Sequence, residues 1–593
     1  MKKIMLKIVG FLFIGFVIMS CNDSFLQREP IDDLTDNNFW KTANDLKVYN
    51  NGIYNAAGDN GTNLFFVGHA NSAWNSSYLS TMALENLSDN SASFVSNHAS
   101  YVKVGAGQET VPDNATVGGW QWSFVRRCNV FFENYERADI SESVRNNYAG
   151  EVYFFRAWFY LDKVQNYGDV PLVTTALNGD SEELFEAQTP RKDVMAQVLS
   201  DINKAVEYLP ESWDGNHPDR VTKYTALALK SRICLYEGTY NKYHNLGEYQ
   251  SWLNEAADAA QRVMESGKYT LYNTGNPEMD YRTLFTSPDL HGNSEILFSR
   301  TYITPGLGHR VSGYIISQAS GVTKDFVDDF LCIEPDGTAK PIALSSVYNE
   351  DTYDGYFDNR DPRLSQTILD PRKEKELLNT AKGFPFLNGM GVSWESSTGF
   401  HFIKHYEYQD DLRGYGNEIN DYPMFRYAEV LLNYAEAKAE LGTISQDDLD
   451  KSINDLRDRA AMPHLDLSPP MDPKYASEEI SSLLVEIRRE RRVELSYEQF
   501  RYQDLMRWKK GHYLKNRVLG MRLEDADRAV GARYEKANVS TFEVDGKKYV
   551  DVYAGTDYAV DKRVFDERKH YRRPVPVNVL AKNPNLVQNP GWE

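Results

Sequence analysis

Apolar side chains recur at helical intervals in three separate blocks of this chain, about 37–56, 119–267 and 424–508. In the first block, Ala43, Leu46, Asn50 and Ile53 share one face across Phe39 to Tyr54. The second holds the clearest pattern. From Glu151 to Tyr167, Phe154, Trp158 and Leu161 form a stripe with Tyr153, Ala157, Tyr160 and Val164 beside it, and Gly168 and Pro171 stop the run. Helices are also predicted at Trp120–Tyr135, at Arg191–Leu209 before Pro210, at Thr222–Tyr236 before Gly238, and at Leu253–Glu265 before Gly267. The third block predicts Met424–Leu441, Asp450–Ala461 and Ser482–Arg507. Similar lengths and close pairing suggest helix–turn–helix repeats, without a strict 34-residue period.

Between the blocks the periodicity is lost. Residues 57–118 are rich in Gly, Asn and Ser, with a short helix expected near 79–87. Residues 270–420 are punctuated by Gly, Pro, Asp and Asn around short apolar segments such as Ile296-Leu297-Phe298 and Phe402-Ile403, with one helix over Thr323–Phe330. Loop-rich regions of this kind commonly carry binding surfaces. Residues 511–569 read as mixed loops and strands. The end, from Pro574, is too rich in Pro and Asn for regular structure and is expected to lie along the body, pinned by Val577, Leu580 and Leu586. Arg488 to Glu494 interleaves charges at helical spacing, which suits ion pairs on a wet helix face.

The first twenty residues follow a third pattern. Lys2, Lys3 and Lys7 precede an apolar run from Ile8 to Met19, which is short for a spanning helix and laid out as an export signal. Ser20 supplies a small side chain just before Cys21, so Ile18-Met19-Ser20-Cys21 is similar to a bacterial lipoprotein cleavage box, with Met19 bulkier than usual. Acyl chains on Cys21 would then anchor the chain to a membrane. Residues 21–36 read as an exposed lead, and 37–593 as one composite domain. The net charge of −20 makes the body a poor non-specific binder of nucleic acid or of an anionic lipid surface. Beyond Cys21, only Cys128, Cys234 and Cys332 remain. They are too widely spaced for a disulfide framework or a clustered metal site, and Cys234 sits within an apolar helical pattern.

Several segments together resemble the SusD/RagB family of outer-membrane nutrient-binding lipoproteins. The strongest is EVYFFRAWFYLDKVQNYGDVPLVT at 151–174. VTKYTALALKSRICLYEG at 221–238, FDNRDPRL at 357–364, FRYAEVLLNYAEAKAELG at 425–442, INDLRDRA at 453–460, IRRERRVELSYEQFRYQDLMRW at 487–508 and NPNLVQNPGW at 583–592 follow in family order. The resemblance implies a mainly α fold, in which tetratricopeptide-like helix pairs support a loop-rich ligand-binding region with few short strands. It also implies a cell-surface lipoprotein that caps a TonB-dependent β-barrel transporter and captures oligosaccharide or polysaccharide, or in some relatives peptide. The outer-membrane location, with the body facing the cell exterior, comes from the same resemblance.

Aromatic residues make up 13% of the chain, enough to ask which of them meet a ligand. A pyranose offers an apolar face to a flat ring and hydroxyl groups to amides and carboxylates. Segment 71–90 places Trp74, Asn75, Tyr78 and Asp89 near one another, and Trp74 followed by Tyr78 are the first candidates. Tyr101, Tyr314 and Trp394 lie in or near other polar, loop-rich stretches and are further candidates. Arg156, Glu429 and Glu436 sit within helical packing motifs and are expected to pair internally. No catalytic constellation stands out. His401 and His405 lack the glutamate of a zinc helix, and no phosphate-binding or nucleophile-elbow motif is present. The reading is therefore non-enzymatic, with no cofactor and no metal.

Overall fold

The computed structural model describes residues 39–57, 69, 81–94, 98–115, 119–213, 219–317, 320–373, 385–390, 395–407 and 417–593, with the side chains of Ala56, Ala57, Tyr314, Ile316 and Ser317 excepted. Cys21 and the export signal lie outside these residues. Among the described residues, no helix is long and apolar enough to cross a membrane.

The chain opens with α1 (Ala43–Ala57), a short α2 (Thr81–Glu85), β1 (Ser91–Ser93) and α3 (Ala99–Gly105). The helical body follows as α4 (Ser123–Asn134), α5 (Glu142–Tyr167), α6 (Arg191–Tyr208), α7 (Lys223–Tyr243) and α8 (Tyr249–Glu265). These helices pack as successive antiparallel neighbours, α5 on α6 and α7 on α8. After the loop-rich middle, with β2 (Ile296–Arg300) and β3 (Ser320–Val322), β4 (Tyr422–Arg426) leads into α9 (Tyr427–Glu440), which packs on α8 and α7. α10 (Ile453–Arg459), α11 (Ser482–Glu494) and α12 (Arg501–Arg507) complete the helical side. A small sheet of order β5 (Leu519–Arg522), β7 (Lys547–Asp551), β6 (Ser540–Val544) and a last turn of helix, α13 (Val577–Lys582), end the chain. The fold is mainly α, with helix pairs supporting loops and a few short strands.

The main core runs through the helix pairs, and a second gathers beneath the loops around Phe326, Phe400, Phe402 and Tyr497. β2 and β4 pair antiparallel, Arg300 opposite Tyr422, and tie the two regions together. α5 begins nine residues before the sequence pattern suggested, because the Ser141 hydroxyl accepts from the Val144 N–H and caps it there.

Four expectations are corrected. Gly238 does not stop α7. A Cβ on Gly238 would lie 2.9 Å from Leu253 Cγ and Cδ2, so the residue serves close packing of α8 rather than termination. Met424 to Arg426 is strand, not helix, because Phe425 and Arg426 pair with Phe298 and Ile296. The Pro- and Asn-rich end does form regular structure in α13, and Val577 is exposed rather than pinned, whereas Leu586 is buried. The Arg488–Glu494 cluster is not a wet face. All its charged side chains are buried, in ion pairs that include Arg488 with Glu440, Arg489 with Asp472 and Arg492 with Asp329. Cys128, Cys234 and Cys332 are buried free thiols.

Candidate ligand-binding site

Ser482 to Arg507 is a continuous helical pattern in sequence, yet the helix breaks between α11 and α12. Tyr497 and Gln499 adopt left-handed backbone conformations, φ 59° and 71°. Each costs on the order of 1 kcal/mol for a residue with a Cβ. Three interactions hold the turn. The Tyr497 ring stacks on Phe402 at 3.8 Å. The Glu498 carboxylate accepts from Arg426 Nε and Nη2, both at 2.8 Å, and from Lys404 Nζ at 2.6 Å. The next two residues are thereby turned toward open space: Gln499 and Phe500 leave the turn, and Tyr502 and Gln503 follow on the first turn of α12.

They face a cavity of about 570 Å³, large enough for a small oligosaccharide segment. Its opposite wall is α2 and α3, through Leu84, Glu85, Tyr101 and Lys103. Its floor is α5 (Trp158, Asp162, Gln165, Asn166), α7 (Arg232, Tyr236) and the β4–α9 junction (Tyr422, Met424, Arg426). Tyr101, Phe500 and Tyr502 are half-buried, as are Gln165, Asn166, Gln499 and Gln503. Three partly open rings beside four side-chain amides make a surface that can stack a sugar ring and bond its hydroxyl groups. The Gln503 Oε1 is buried without a hydrogen-bond partner.

Burial dominates the titration behaviour of the wall. It pushes the Glu85 carboxyl up to about 7, although Asn90 Nδ2 donates to Oε1 at 2.6 Å. It also raises the Tyr101 hydroxyl to about 12. Beneath the floor, burial alone would raise Glu436, but Arg507, with Nη1 and Nη2 donating at 2.6 and 2.7 Å, holds it down at about 2.

Of the residues singled out in the sequence, Tyr101 lines this cavity. Trp74, Asn75, Tyr78 and Trp394 lie outside the described residues, as does the side chain of Tyr314, whose backbone sits in a helix at Val311–Ser317. On the two sides of the 70–80 stretch, the His69 ring packs 5.2 Å from Tyr422, and Leu84, three residues after Thr81, lines the cavity directly. Asp89 is elsewhere. Its two oxygens accept from Arg501 Nε and Nη2, both at 2.7 Å, and it borders a smaller cavity of about 140 Å³. Its carboxylate is thus already engaged. Arg156 pairs with Asp201, Glu429 with Arg232 and Glu436 with Arg507, the internal roles their helical settings suggested. Phe500, Tyr502, Gln499, Gln503 and Gln165 were missed. The only signal for the four at 499–503 was Tyr-Glu-Gln-Phe-Arg-Tyr-Gln, a polar–aromatic alternation inside an otherwise helical run, and Gln165 on α5 had none.

His401 and His405 are both buried, and among the described residues neither belongs to a group of three possible metal ligands. Among the described residues, one group brings three possible ligand atoms within 4.8 Å of one another: Asp289, His291 and buried Asp421. The Asp421 oxygens accept from the backbone N–H groups of Tyr302 and Leu290, and burial raises its carboxyl to about 6.

Two family models match the chain. One, described as the SusD family, matches residues 309–592, and another, described as starch-binding associating with outer membrane, matches 63–235. A SusD-like protein, P2, from Formosa agariphila is 24% identical over 98% of this chain and 99% of its own. Among solved structures, a SusD-like carbohydrate-binding protein from Bacteroides fragilis superposes with a TM-score of 0.70 at 22% identity, covering 93% of this chain and all of that one. A laminarin-binding SusD-like protein gives 0.59 at 19% identity, again over 93% of this chain and 100% of its own.

Proposed function

Because the chain belongs to the SusD family of outer-membrane-associated binding proteins, which are not enzymes, we propose that it captures a glycan at the cell surface and delivers it to a TonB-dependent transporter. The observation that carries this reading is the cavity at the α11–α12 break. Tyr101, Phe500 and Tyr502 offer ring faces, and Gln165, Asn166, Gln499 and Gln503 offer amides around one space of about 570 Å³. Carbohydrate binding in one fold relative and laminarin binding in another agree with it. Trp74, Asn75 and Tyr78 belong to the same proposal, as do Tyr314 and Trp394 from the loop-rich middle.

Capture requires no bond to be made or broken. A ring–sugar stack excludes water from both apolar faces, and the amides replace the hydroxyl groups' water partners. Acyl chains on Cys21 would hold the body at the outer leaflet beside the transporter, so modest single-site affinity suffices when a polymer and a barrel are engaged together. The direct test is a glycan array probed with soluble protein lacking residues 1–21, with a peptide library in parallel. Retention on one or more glycans is expected. Binding to peptides alone would overturn the assignment and point to peptide cargo.

A further inference from the structure

The arginines around the cavity are already spent on carboxylates. Arg232 donates Nε and Nη2 to the two oxygens of Glu429 at 2.6 and 2.7 Å. Arg426 is held by Glu498, Glu494 and Glu295. Arg491 Nε donates to Asp504 at 2.9 Å, Arg507 to Glu436 and Asp504, and Arg573 Nη2 to Glu109 at 2.6 Å. Among the described residues, every guanidinium that borders this space therefore has a carboxylate partner. Lys103, half-buried near the end of α3, is the single bordering cation without an ion pair among the described residues.

The uncharged groups present a different picture. The buried Gln503 Oε1 has no donor, and Gln165 and Tyr502 lie half-open beside it on the same cavity. An orphaned acceptor next to an amide and a phenol is matched by a hydroxyl, which both donates and accepts. It is not matched by a carboxylate or sulfate, which only accept. Apart from Lys103, an anionic sugar would gain a cation here only by pulling a guanidinium from its buried carboxylate, leaving that carboxylate unpaired.

On the basis of the glycan-capture reading, we infer that this cavity selects an uncharged glycan segment and rejects uronate and sulfated sugars. Its specificity lies in the internal pairing of its arginines, which leaves Lys103 as the one bordering cation without a carboxylate of its own among the described residues. The protein's net charge of −20 acts in the same direction on any polyanion approaching it.

The test uses soluble protein lacking residues 1–21 and two panels of matched length. One holds neutral gluco-, manno- and xylo-oligosaccharides; the other holds uronate and sulfated oligosaccharides. The expected result is binding confined to the neutral panel, with acidic ligands on the order of 100-fold weaker or unbound. Affinity for the neutral ligand should change little as salt rises from about 0.05 to 0.5 M. Gln503→Leu should weaken it roughly tenfold. Acidic ligands bound as well as or better than neutral ones would overturn the inference while leaving glycan capture intact. Neutral binding untouched by both Gln503→Leu and Phe500→Ala would overturn it by removing the cavity from the site. Failure of both panels would instead remove the glycan-capture reading on which it rests.

Discussion

Glu498→Gln tests the link between the ionic interior and the ligand wall. Glu498 is 7% exposed and sits between the two left-handed residues of the α11–α12 turn. Its carboxylate receives three charged donors, two from Arg426 and one from Lys404. Glutamine keeps the volume, removes the charge and turns an NH₂ group toward one of those donors. Breaking a buried pair by removing one partner costs about 3–5 kcal/mol. Arg426 keeps Glu295 and Glu494, so most of that cost should fall on Lys404, whose remaining acceptors are the carbonyls of Ser496 and Glu494. Burial already lowers the Lys404 ammonium from 10.5 to about 8, against the opposing pull of Glu498. In the wild type this group therefore makes stability rise with pH between about 8 and 10.5, where the unfolded chain holds the proton and the folded chain does not. Without Glu498 the folded value falls further, and the lower edge of that window moves below 8. Urea unfolding of wild type and variant across pH 6–10 reads both effects. The variant should lose about 3–5 kcal/mol near pH 6 and recover part of it by pH 8, where the wild type is still flat. A loss under about 1 kcal/mol at pH 6, or a parallel pH profile, would refute the assignment of Lys404 to this carboxylate.

The remaining expectations are direct. Phe500→Ala and Tyr502→Ala should each weaken a bound glycan about 3- to 10-fold by isothermal titration calorimetry, the worth of one aromatic stack, with unchanged circular dichroism. Burial lifts Glu85 from 4.5 to about 7, so folding binds its proton and stability falls as pH rises through that interval; Glu85→Gln should flatten this part of the unfolding profile. Gly238→Val puts a branched side chain where Leu253 already lies 2.9 Å from an added Cβ, and should cost about 1–3 kcal/mol in denaturant unfolding. Cys21→Ser should abolish incorporation of labelled palmitate and release the protein from the outer-membrane fraction; continued labelling would remove Cys21 as the acylated residue.

The helical side was legible because its signals are local. Apolar spacing marks α5, α7 and α11, and Gly267 and Gly442 end α8 and α9; the start of α5, capped by Ser141, lies nine residues before the spacing shows it. What was illegible depends on partners far away in sequence. Gly238 reads as a stop until α8 is laid against it. Met424-Phe425-Arg426 reads as helix until β2 supplies a strand to pair with. The Arg488–Glu494 run has the spacing of a solvated face, and nothing local says that Asp329, Glu440 and Asp472 will bury it.

The site was hidden for the same reason, and more completely. Tyr497 to Gln503 carry no break signal: no glycine, no proline, and charges at helical spacing. The break is imposed by Phe402, Lys404 and Arg426, from segments about 70 to 100 residues earlier. Aromatic residues in loop-rich stretches were the natural place to seek a sugar platform, and that reasoning reached Tyr101, which the structure puts on α3 rather than in a loop. It could not reach Phe500 or Tyr502, whose exposure exists only because a helix is interrupted. The ionic network that looks purely structural is thus what shapes the cavity wall. By pairing each arginine, it holds two residues in a costly conformation, opens the rings to the cavity and leaves that cavity without a free guanidinium. Stability and selectivity are then coupled: a substitution that frees Arg426 should both loosen the turn and admit acidic sugars that the intact wall turns away.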